Sequence, residues 1–275
     1  LSVSCTVIGQ DASGAQQTWA QPTTSLVEEG ATAADLSERV FKQAGIGADV
    51  QTGSYGWFLN SLTSPFNKNV TLSTVQVNES TWKSWQFFVN GKMANVGAGN
   101  YTLKAGDKVS WVYGSDGTMP GQTKASLRII GVDSGGNVQT WAPAADYTMV
   151  DAATVADATE LAFKQSGISA DYGMGTWGWF LNSITSPFDG RTLAWDSTTG
   201  AYWKLFIDGK PSDLGAGSVK LKDAKSIAWV YTADDKLPDP DALTTDPNAP
   251  KSNFDSAWSA FAGGKANGSV VEVPT

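Results

Sequence analysis

The sequence predicts an α+β fold in two tandem copies of one module, each a mixed sheet with one packed helix, followed by a C-terminal linker and tail. Three observations support this: a repeated aromatic phrase, a constant offset between further aromatic residues, and one order of strand and helix signals in both copies. The phrase Gly-Trp-Phe-Leu-Asn-Ser-Leu-Thr-Ser-Pro-Phe occupies 56–66 and returns at 178–188 with Ile for the second Leu. A period above a hundred residues indicates duplicated domains rather than a solenoid.

The repeat extends well beyond this phrase. Trp19 and Trp141 are separated by 122 positions (141 − 19 = 122), and the phrase itself keeps the same offset. Trp85 and Trp203 are separated by 118 positions (203 − 85 = 118). The second copy therefore lacks four residues (122 − 118 = 4) between 188 and 203. A length change confined to one place is what a surface loop tolerates.

These offsets define the expected domains. Residues 1–114 form the first module, 115–125 a link of linker composition, and 126–232 the second module. Residues 233–275 begin with a Pro- and Asp-rich stretch that is typical of an extended linker. The aromatic segment 254–264 that follows resembles the opening of a quinoprotein-like β-propeller repeat. The tail is therefore either the start of a further domain or a segment that packs back on the second module.

Composition argues against several kinds of partner. The 275 residues carry a formal net charge of −8, and no basic run exists. Nucleic acid and anionic membrane surfaces are bound mainly through clustered Lys and Arg, so neither is an expected partner. No apolar stretch is long enough to span a bilayer, so we expect no direct membrane insertion by this segment. The oligomeric state stays open.

Residue types also argue against catalysis. The protein has no His, which removes the commonest general base, the usual hydrolase triads and nearly every transition-metal site. The single Cys5 excludes an intrachain disulfide, and its alternating apolar neighbours predict a buried strand residue. A glycosidase needs only two placed acids. The repeated acid pairs that we identify, Asp11 with Asp133 and Asp49 with Asp171, lie among turn residues, where Asp bonds its own backbone. We therefore predict no enzyme, no cofactor and no metal.

Each module opens with a strand hairpin and a helix. Residues 3–8 alternate as a strand that turns and returns. Thr32 is a good helix N-cap with Asp35 at the third helical position, and Gly45 stands where a left-handed C-terminal cap is expected. The second copy repeats this pattern, with its N-cap at either Thr154 or Asp157.

Further strand signals follow the helix. The repeated phrase predicts a strand over 55–62, which stops at Ser64-Pro65 because Pro cannot donate to a sheet ladder. A strand over 85–89 runs into Asn90-Gly91, a type I′ hairpin signal, and a last strand covers 109–113. Strands in this order around one helix are found in β-grasp folds.

Three motifs in the modules are shared with a known family. They are aromatic-Gly-x-Phe-x-x-Ser-Leu/Ile, then Trp-x-Phe-x-Val-Asn-Gly-Lys followed by a further Gly, and then Leu-x-x-Gly-Asp-x-Val-x-Trp-x-Tyr. In the first copy they are carried by Gly56, Phe58, Ser61, Trp85, Asn90, Gly91, Gly97, Gly106, Asp107, Trp111 and Tyr113. The second copy departs at Ala224 and Lys225, where Gly106 and Asp107 stand in the first. With these motifs, nearly all of both modules resembles the transcobalamin-like C-terminal domain, a β-grasp-like family of largely unknown function.

The resemblance implies a location and a class of function. Similar domains belong to secreted and cell-surface proteins of Gram-positive bacteria, so it implies an extracellular or cell-wall location. In the animal cobalamin carriers a related domain closes over the corrin ring. The resemblance therefore implies a binding or display module, with a corrinoid as one candidate ligand.

Candidate binding residues come from the repeated phrase and its flank. They are Tyr55, Trp57 and Asn60 in the first copy and Trp177, Trp179 and Asn182 in the second. The Gly after Tyr55 or Trp177 lets another backbone or a flat ligand approach closely. Core packing is the alternative for Trp57, and a bond to a neighbouring loop is the alternative for Asn60. Period two places Trp57, Leu59 and Ser61 on one face and Phe58, Asn60 and Leu62 on the other.

Three function classes remain open. The first is a non-catalytic extracellular or cell-surface module that binds a corrinoid-like small molecule or a glycan and gains avidity from its two copies. The second is a structural spacer or display stalk of an adhesin-like surface protein. The third, ranked last, is a carboxylate-only glycosidase. A binding module predicts exposed aromatic side chains common to both copies, whereas a spacer predicts that the shared residues are buried.

Overall fold

A computed structural model describes residues 1–54 and 56–238. Candidate Tyr55 and the aromatic segment 254–264 lie outside the described residues, as do residues 239–253 and 265–275. The expectation of a further domain after the linker also falls outside them.

Both modules contain the same kinds of element in nearly the same order. The first contains β1 (Ser2–Gln10), β2 (Gln16–Leu26), α1 (Ala33–Ala44), β3 (Gly47–Gly53), β4 (Gly56–Thr63), β5 (Thr71–Ser73), β6 (Val75–Asn78), β7 (Thr81–Val89), β8 (Lys92–Met93), the 3₁₀ helix η1 (Ala98–Asn100) and β9 (Lys108–Gly114). The second contains β10 (Gln122–Val132), β11 (Val138–Val150), α2 (Val155–Ser166), β12 (Ala170–Gly175), β13 (Gly178–Thr185), β14 (Thr192–Leu193), β15 (Tyr202–Ile207), β16 (Lys210–Pro211), η2 (Leu221–Asp223) and β17 (Ser226–Thr232). Strand β10 begins at Gln122, so it includes residues that the repeat offsets assign to the link.

Each module is built on a mixed sheet. The strand order is β2-β1-β9-β7-β6 in the first module and β11-β10-β17-β15-β16 in the second. The first and last strands of each module run parallel at the centre, and their outer neighbours run antiparallel. A central parallel pair of terminal strands with one helix against the sheet is the β-grasp arrangement, so the α+β prediction is confirmed.

The repeated phrase does not join the main sheet. It forms β4 in the separate three-stranded sheet β3-β4-β5, and β13 in the sheet β12-β13-β14. The prediction of one sheet per module is therefore wrong at this point. Strand β3, the hairpin partner of β4, is exposed along almost its whole length, so it lacks the apolar alternation that predicts a strand.

The predicted helix is confirmed together with both of its caps. The Thr32 hydroxyl oxygen accepts a hydrogen bond from the Asp35 backbone N–H, and the Asp35 carboxylate accepts one from the Thr32 N–H. Gly45 ends α1 with a φ of 67°. In the second copy Thr154 is the N-cap and Asp157 is its capping-box partner, which decides between the two residues. Among the residues described, no helix combines the length and apolar character that crossing a bilayer requires.

Two local predictions for the main sheet are also confirmed. Asn90 and Gly91 have φ values of 51° and 77°, as a type I′ turn demands, and Asp208 and Gly209 repeat them at 50° and 82°. Cys5 is fully buried in β1, and this burial raises the pKa of its thiol to about 12.

Tryptophan side chains fill the core of each module. The six that occupy equivalent core positions, none more than 9% exposed, are Trp19, Trp85, Trp111, Trp141, Trp203 and Trp229. The rings of Trp19 and Trp141 lie so close to Gly9 and Gly131 that a Cβ at either glycine would collide with them. Core packing therefore accounts for these Trp residues, and the two strand glycines leave room for the rings.

The two modules share a packed interface. The Val150 backbone N–H at the end of β11 donates to Thr18 Oγ1 of β2 at 3.0 Å, and the Thr148 N–H donates to Gln21 Oε1 at 2.9 Å. Gln21 Nε2 in turn donates to Gln165 Oε1 of α2 at 2.9 Å. Module two is thus joined to module one by hydrogen bonds as well as by apolar packing.

Candidate functional site

The structure places Trp57 and Trp179 half-buried beside the helices. Trp57 Nε1 donates to Glu38 Oε1 of α1 at 2.6 Å, and Trp179 Nε1 donates to Glu160 Oε1 of α2 at 2.7 Å. The Trp57 ring also lies against Trp111, with centroids 5.8 Å apart. Each indole is therefore fixed to its helix and offers a ring face rather than a free N–H to a ligand.

The acid pair that holds these indoles was not among the predicted residues. Glu38 and Glu160 keep the 122-residue offset (160 − 38 = 122), as do the capping residues Asp35 and Asp157 (157 − 35 = 122). The repeat carried the signal. An acid kept at the same helical position in both copies is a candidate partner for the indole N–H of a repeated Trp. The repeated acids are thus not confined to turns.

The two carboxylates lie in different surroundings. Burial raises the pKa of Glu160 above its ordinary value of 4.5, against the lowering effect of the hydrogen bond from Trp179. Tyr172 lies over the Trp179 ring at 5.7 Å between centroids. In the first copy the position of Tyr172 is taken by Val50 (172 − 122 = 50), and Glu38 is exposed.

Asn60 and Asn182 each occupy a β-bulge. The pairing register between β3 and β4 skips Asn60, and the register between β12 and β13 skips Asn182. A bulge adds one unpaired residue to a strand and so reverses the alternation of the side chains after it. Neither Asn lies in a regular ladder position.

The bulge overturns the period-two assignment of faces. Leu62 is fully buried whereas Phe58 is 60% exposed, so the two do not share a face as the alternation predicted. Asn182 Nδ2 donates to Asp171 Oδ2 of the neighbouring strand at 3.0 Å. Such a local hydrogen bond is the alternative role for the repeated Asn, in place of ligand binding.

Trp177 stands at the tip of the β12–β13 hairpin. It is 98% exposed, and Met174 beside it on β12 is exposed as well. Gly178 follows with a φ of 99°, a conformation that favours glycine at this turn. The candidates that the structure describes therefore separate into three environments: a hairpin tip, an indole fixed to a helix, and a bulge.

A groove of about 370 Å³ lies next to the repeated strand in the first module. Strand β4 and the loop before η1 form its walls, and the main sheet forms its floor. Its lining residues are Trp57, Phe58, Leu59, Thr74, Ser84, Trp85, Phe87, Val96, Gly97, Ala98 and Trp111. Trp85 Nε1 donates to the Leu72 carbonyl and Trp111 Nε1 to Ser37 Oγ, each at 2.8 Å. The indole N–H groups are thus bonded inside the module, and the groove presents apolar ring surface with a few hydroxyls.

Two exposed apolar side chains on this groove are repeated in the second copy. Phe58 corresponds to Phe180 (180 − 58 = 122) and Val96 to Leu214 (214 − 96 = 118). Their exposed fractions are 60% and 41% for the Phe pair and 43% and 59% for the aliphatic pair. Neither pair was predicted as part of a site, although the offsets marked both. Core packing does not explain large apolar side chains that both copies leave in solvent.

These features define a tandem β-grasp protein with one aromatic-floored groove described in its first module and the equivalent groove-wall side chains in its second. A family model described as a domain of unknown function, DUF4430, matches residues 30–115 and 152–233. The two matches cover more than half of the sequence, so the protein belongs to this family and has two copies of its domain. No curated protein matches it.

Proposed function

We propose that this protein is a non-catalytic extracellular or cell-surface binding protein in which each module holds ligand in the groove beside its repeated strand. The observation that carries the proposal is the pair of exposed apolar positions kept in both copies, Phe58 with Phe180 and Val96 with Leu214. A spacer gains nothing from apolar side chains in solvent at equivalent positions. A binding site gains contact area from them.

The chemistry of the groove favours a ligand with a broad apolar face. Trp85, Phe87 and Trp111 supply a floor of rings, and Phe87 stacks on Trp111 with centroids 5.2 Å apart. The hydroxyls of Thr74 and Ser84 are the polar side chains along it. A corrinoid ring fits this description, and so does the apolar face of a sugar ring. The transcobalamin-like motifs support the corrinoid, whereas the duplication supports a repeating glycan, because two linked sites raise avidity only for a ligand that reaches both.

A structural spacer is the alternative function, and specific observations favour it. The repeated Trp19, Trp85 and Trp111 are buried, as are their counterparts, and their role is accounted for by packing. The modules also share an interface, as a stiff stalk requires. A carboxylate-only glycosidase ranks last, since Glu38 and Glu160 each accept a hydrogen bond from an indole.

Calorimetric titration of the whole protein with cobinamide, cobalamin and bacterial cell-wall glycans tests the proposal. The informative variant is Phe58→Ser combined with Phe180→Ser, and the matched control is Leu26→Ser, which removes a 76% exposed side chain outside the groove. We expect at least a tenfold weaker binding in the double variant and unchanged binding in the control. Binding that survives the double variant would place the ligand outside these grooves, and no binding of any probe would favour the spacer.

A further inference from the structure

The main sheet of the second module has a buried apolar face on the side opposite α2. Strand neighbours alternate, so Leu205 and Trp229 belong to the helix-side core while the residues next to them point the other way. The side chains of this back face, each at most 4% exposed, are Ile130, Phe206, Ala228 and Val230. Leu237 packs against them. Among the described residues, Leu237 covers this face only in part, since a cleft lies beside it, and a sheet face needs a second layer to stay out of water.

The first module has the same back face, and the module that follows it supplies the cover. Ile8, Phe88 and Val112 are the equivalents of Ile130, Phe206 and Val230 by the two offsets. The three belong to one buried cluster with apolar side chains of β11, among them Tyr147 and Met149. The polypeptide that follows the first module therefore returns onto that module's own sheet.

The backbone also leaves both modules along the same route. The Gly117 N–H donates to Gln86 Oε1 at 3.2 Å. At the equivalent positions (235 − 117 = 118 and 204 − 86 = 118), Lys204 Nζ pairs with Asp235 Oδ1 at 2.6 Å. In each module a segment just past the last strand is thus bonded to the strand β7 or β15, which pairs with that last strand.

Two residues beyond this tie, an apolar side chain turns onto the back face. Met119 packs against the buried cluster that contains Ile8, Phe88 and Val112, and Leu237 (237 − 118 = 119) packs against the back-face cluster of the second module. A Pro follows each of them, at 120 and 238. The repeat therefore continues to residue 238, past the expected boundary at 232.

We infer that the back face of the second module is the docking site of this protein's own segment 254–261. Phe254, Ala257, Trp258 and Phe261 are spaced i, i+3, i+4 and i+7, as on one side of an amphipathic helix. The 15 intervening residues, 239–253 (254 − 238 − 1 = 15), span about 50 Å when extended, so the segment reaches the face.

The surroundings of the face suit this occupant. A cleft of about 190 Å³ beside Leu237 has Phe206 and Arg128 among its lining residues. Aromatic side chains fill such a cleft, and the acidic Asp255 of the segment complements Arg128 in charge. The segment does for the second module what β11 does for the first.

Paramagnetic labelling of the whole protein tests the inference. A nitroxide is attached at Ser259→Cys, on the polar side of the segment, and Cys5 does not compete because it is fully buried. We expect at least a twofold loss of intensity for the amide signals of Phe206 and Val230, with no loss for those of Phe88 and Val112. Trp258→Ser with Phe261→Ser in the labelled protein should restore the lost intensity.

The same experiment separates docking within one molecule from association of two copies. Nitroxide-labelled molecules at natural isotope abundance are mixed with ¹⁵N-labelled molecules that carry no nitroxide. Full intensity at Phe206 and Val230 in the mixture supports the inference if the same signals lose intensity when nitroxide and ¹⁵N are on one molecule. Loss in the mixture would overturn it in favour of a second copy, and equal intensity on both back faces in every sample would overturn docking altogether.

Discussion

Trp57 Nε1 donates its hydrogen bond to Glu38 Oε1 at 2.6 Å, and the helix thereby fixes the strand that carries the repeated phrase. The second copy reproduces this bond between Trp179 and Glu160 at 2.7 Å. In both modules the hairpin is separate from the main sheet, so this bond is one of the contacts that hold the groove wall against the module. The two copies differ in burial, because Tyr172 lies over the second indole.

The stability of the Glu160→Gln variant, relative to that of the unchanged protein, should increase as pH rises. Burial raises the pKa of Glu160 above 4.5, so the folded state binds this proton more tightly than the unfolded state does. The stability that Glu160 contributes is therefore complete below pH 4.5 and declines as pH rises through the raised pKa. Gln does not titrate. We expect the free energy of unfolding of the variant, minus that of the unchanged protein, to increase from about pH 4 to about pH 7, as urea denaturation measures. A difference that is constant or falls with pH would contradict this.

Gly131→Ala should destabilise the protein by about 1–3 kcal/mol. A Cβ at this position collides with the buried ring of Trp141, which packing holds in place. The matched control is Gly97→Ala, where no atom lies within 4 Å of the added carbon, and a change within about 0.5 kcal/mol is expected there. Urea denaturation of both variants compares them directly. Equal stability losses would show that the close approach of glycine and ring is not a constraint on the core.

The local features of the fold were predictable because single residues signal them. Thr32 with Asp35 marked the helix start, and Asn90-Gly91 marked the hairpin turn. The duplication let each signal be read twice. The separate hairpin sheet was not predictable, since exposed β3 has no apolar alternation and no residue type announces the bulge at Asn60.

The candidate site was predicted only in part. Trp57 was a candidate because it lies in the repeated phrase, with core packing as the alternative, and the structure bonds its N–H to Glu38. The exposed wall is its neighbour Phe58, together with Val96 from a distant loop. Only the fold brings these two segments together, although the repeat offset marked each of them.

Tyr147→Phe and Tyr231→Phe should change stability in opposite directions. The Tyr147 hydroxyl is buried and has no hydrogen-bond partner among the described residues, so its removal should stabilise the protein by about 1 kcal/mol. The Tyr231 hydroxyl donates to the Ala194 carbonyl at 2.8 Å, so its removal should cost about 1 kcal/mol. Thermal unfolding of the two variants measures both effects. A loss of stability in Tyr147→Phe would mean that its hydroxyl is bonded after all.

The most direct test of the central claim is the calorimetric stoichiometry of the probe, cobinamide or a cell-wall disaccharide, that binds the whole protein. The proposal that each module holds ligand beside its repeated strand predicts two probe molecules per protein molecule. Phe58→Ser alone and Phe180→Ser alone should each weaken one of the two sites at least tenfold and leave the other unchanged, in variants whose circular dichroism is unchanged. A single site per molecule that neither substitution affects would contradict the account, because the binding would then lie outside the repeated grooves.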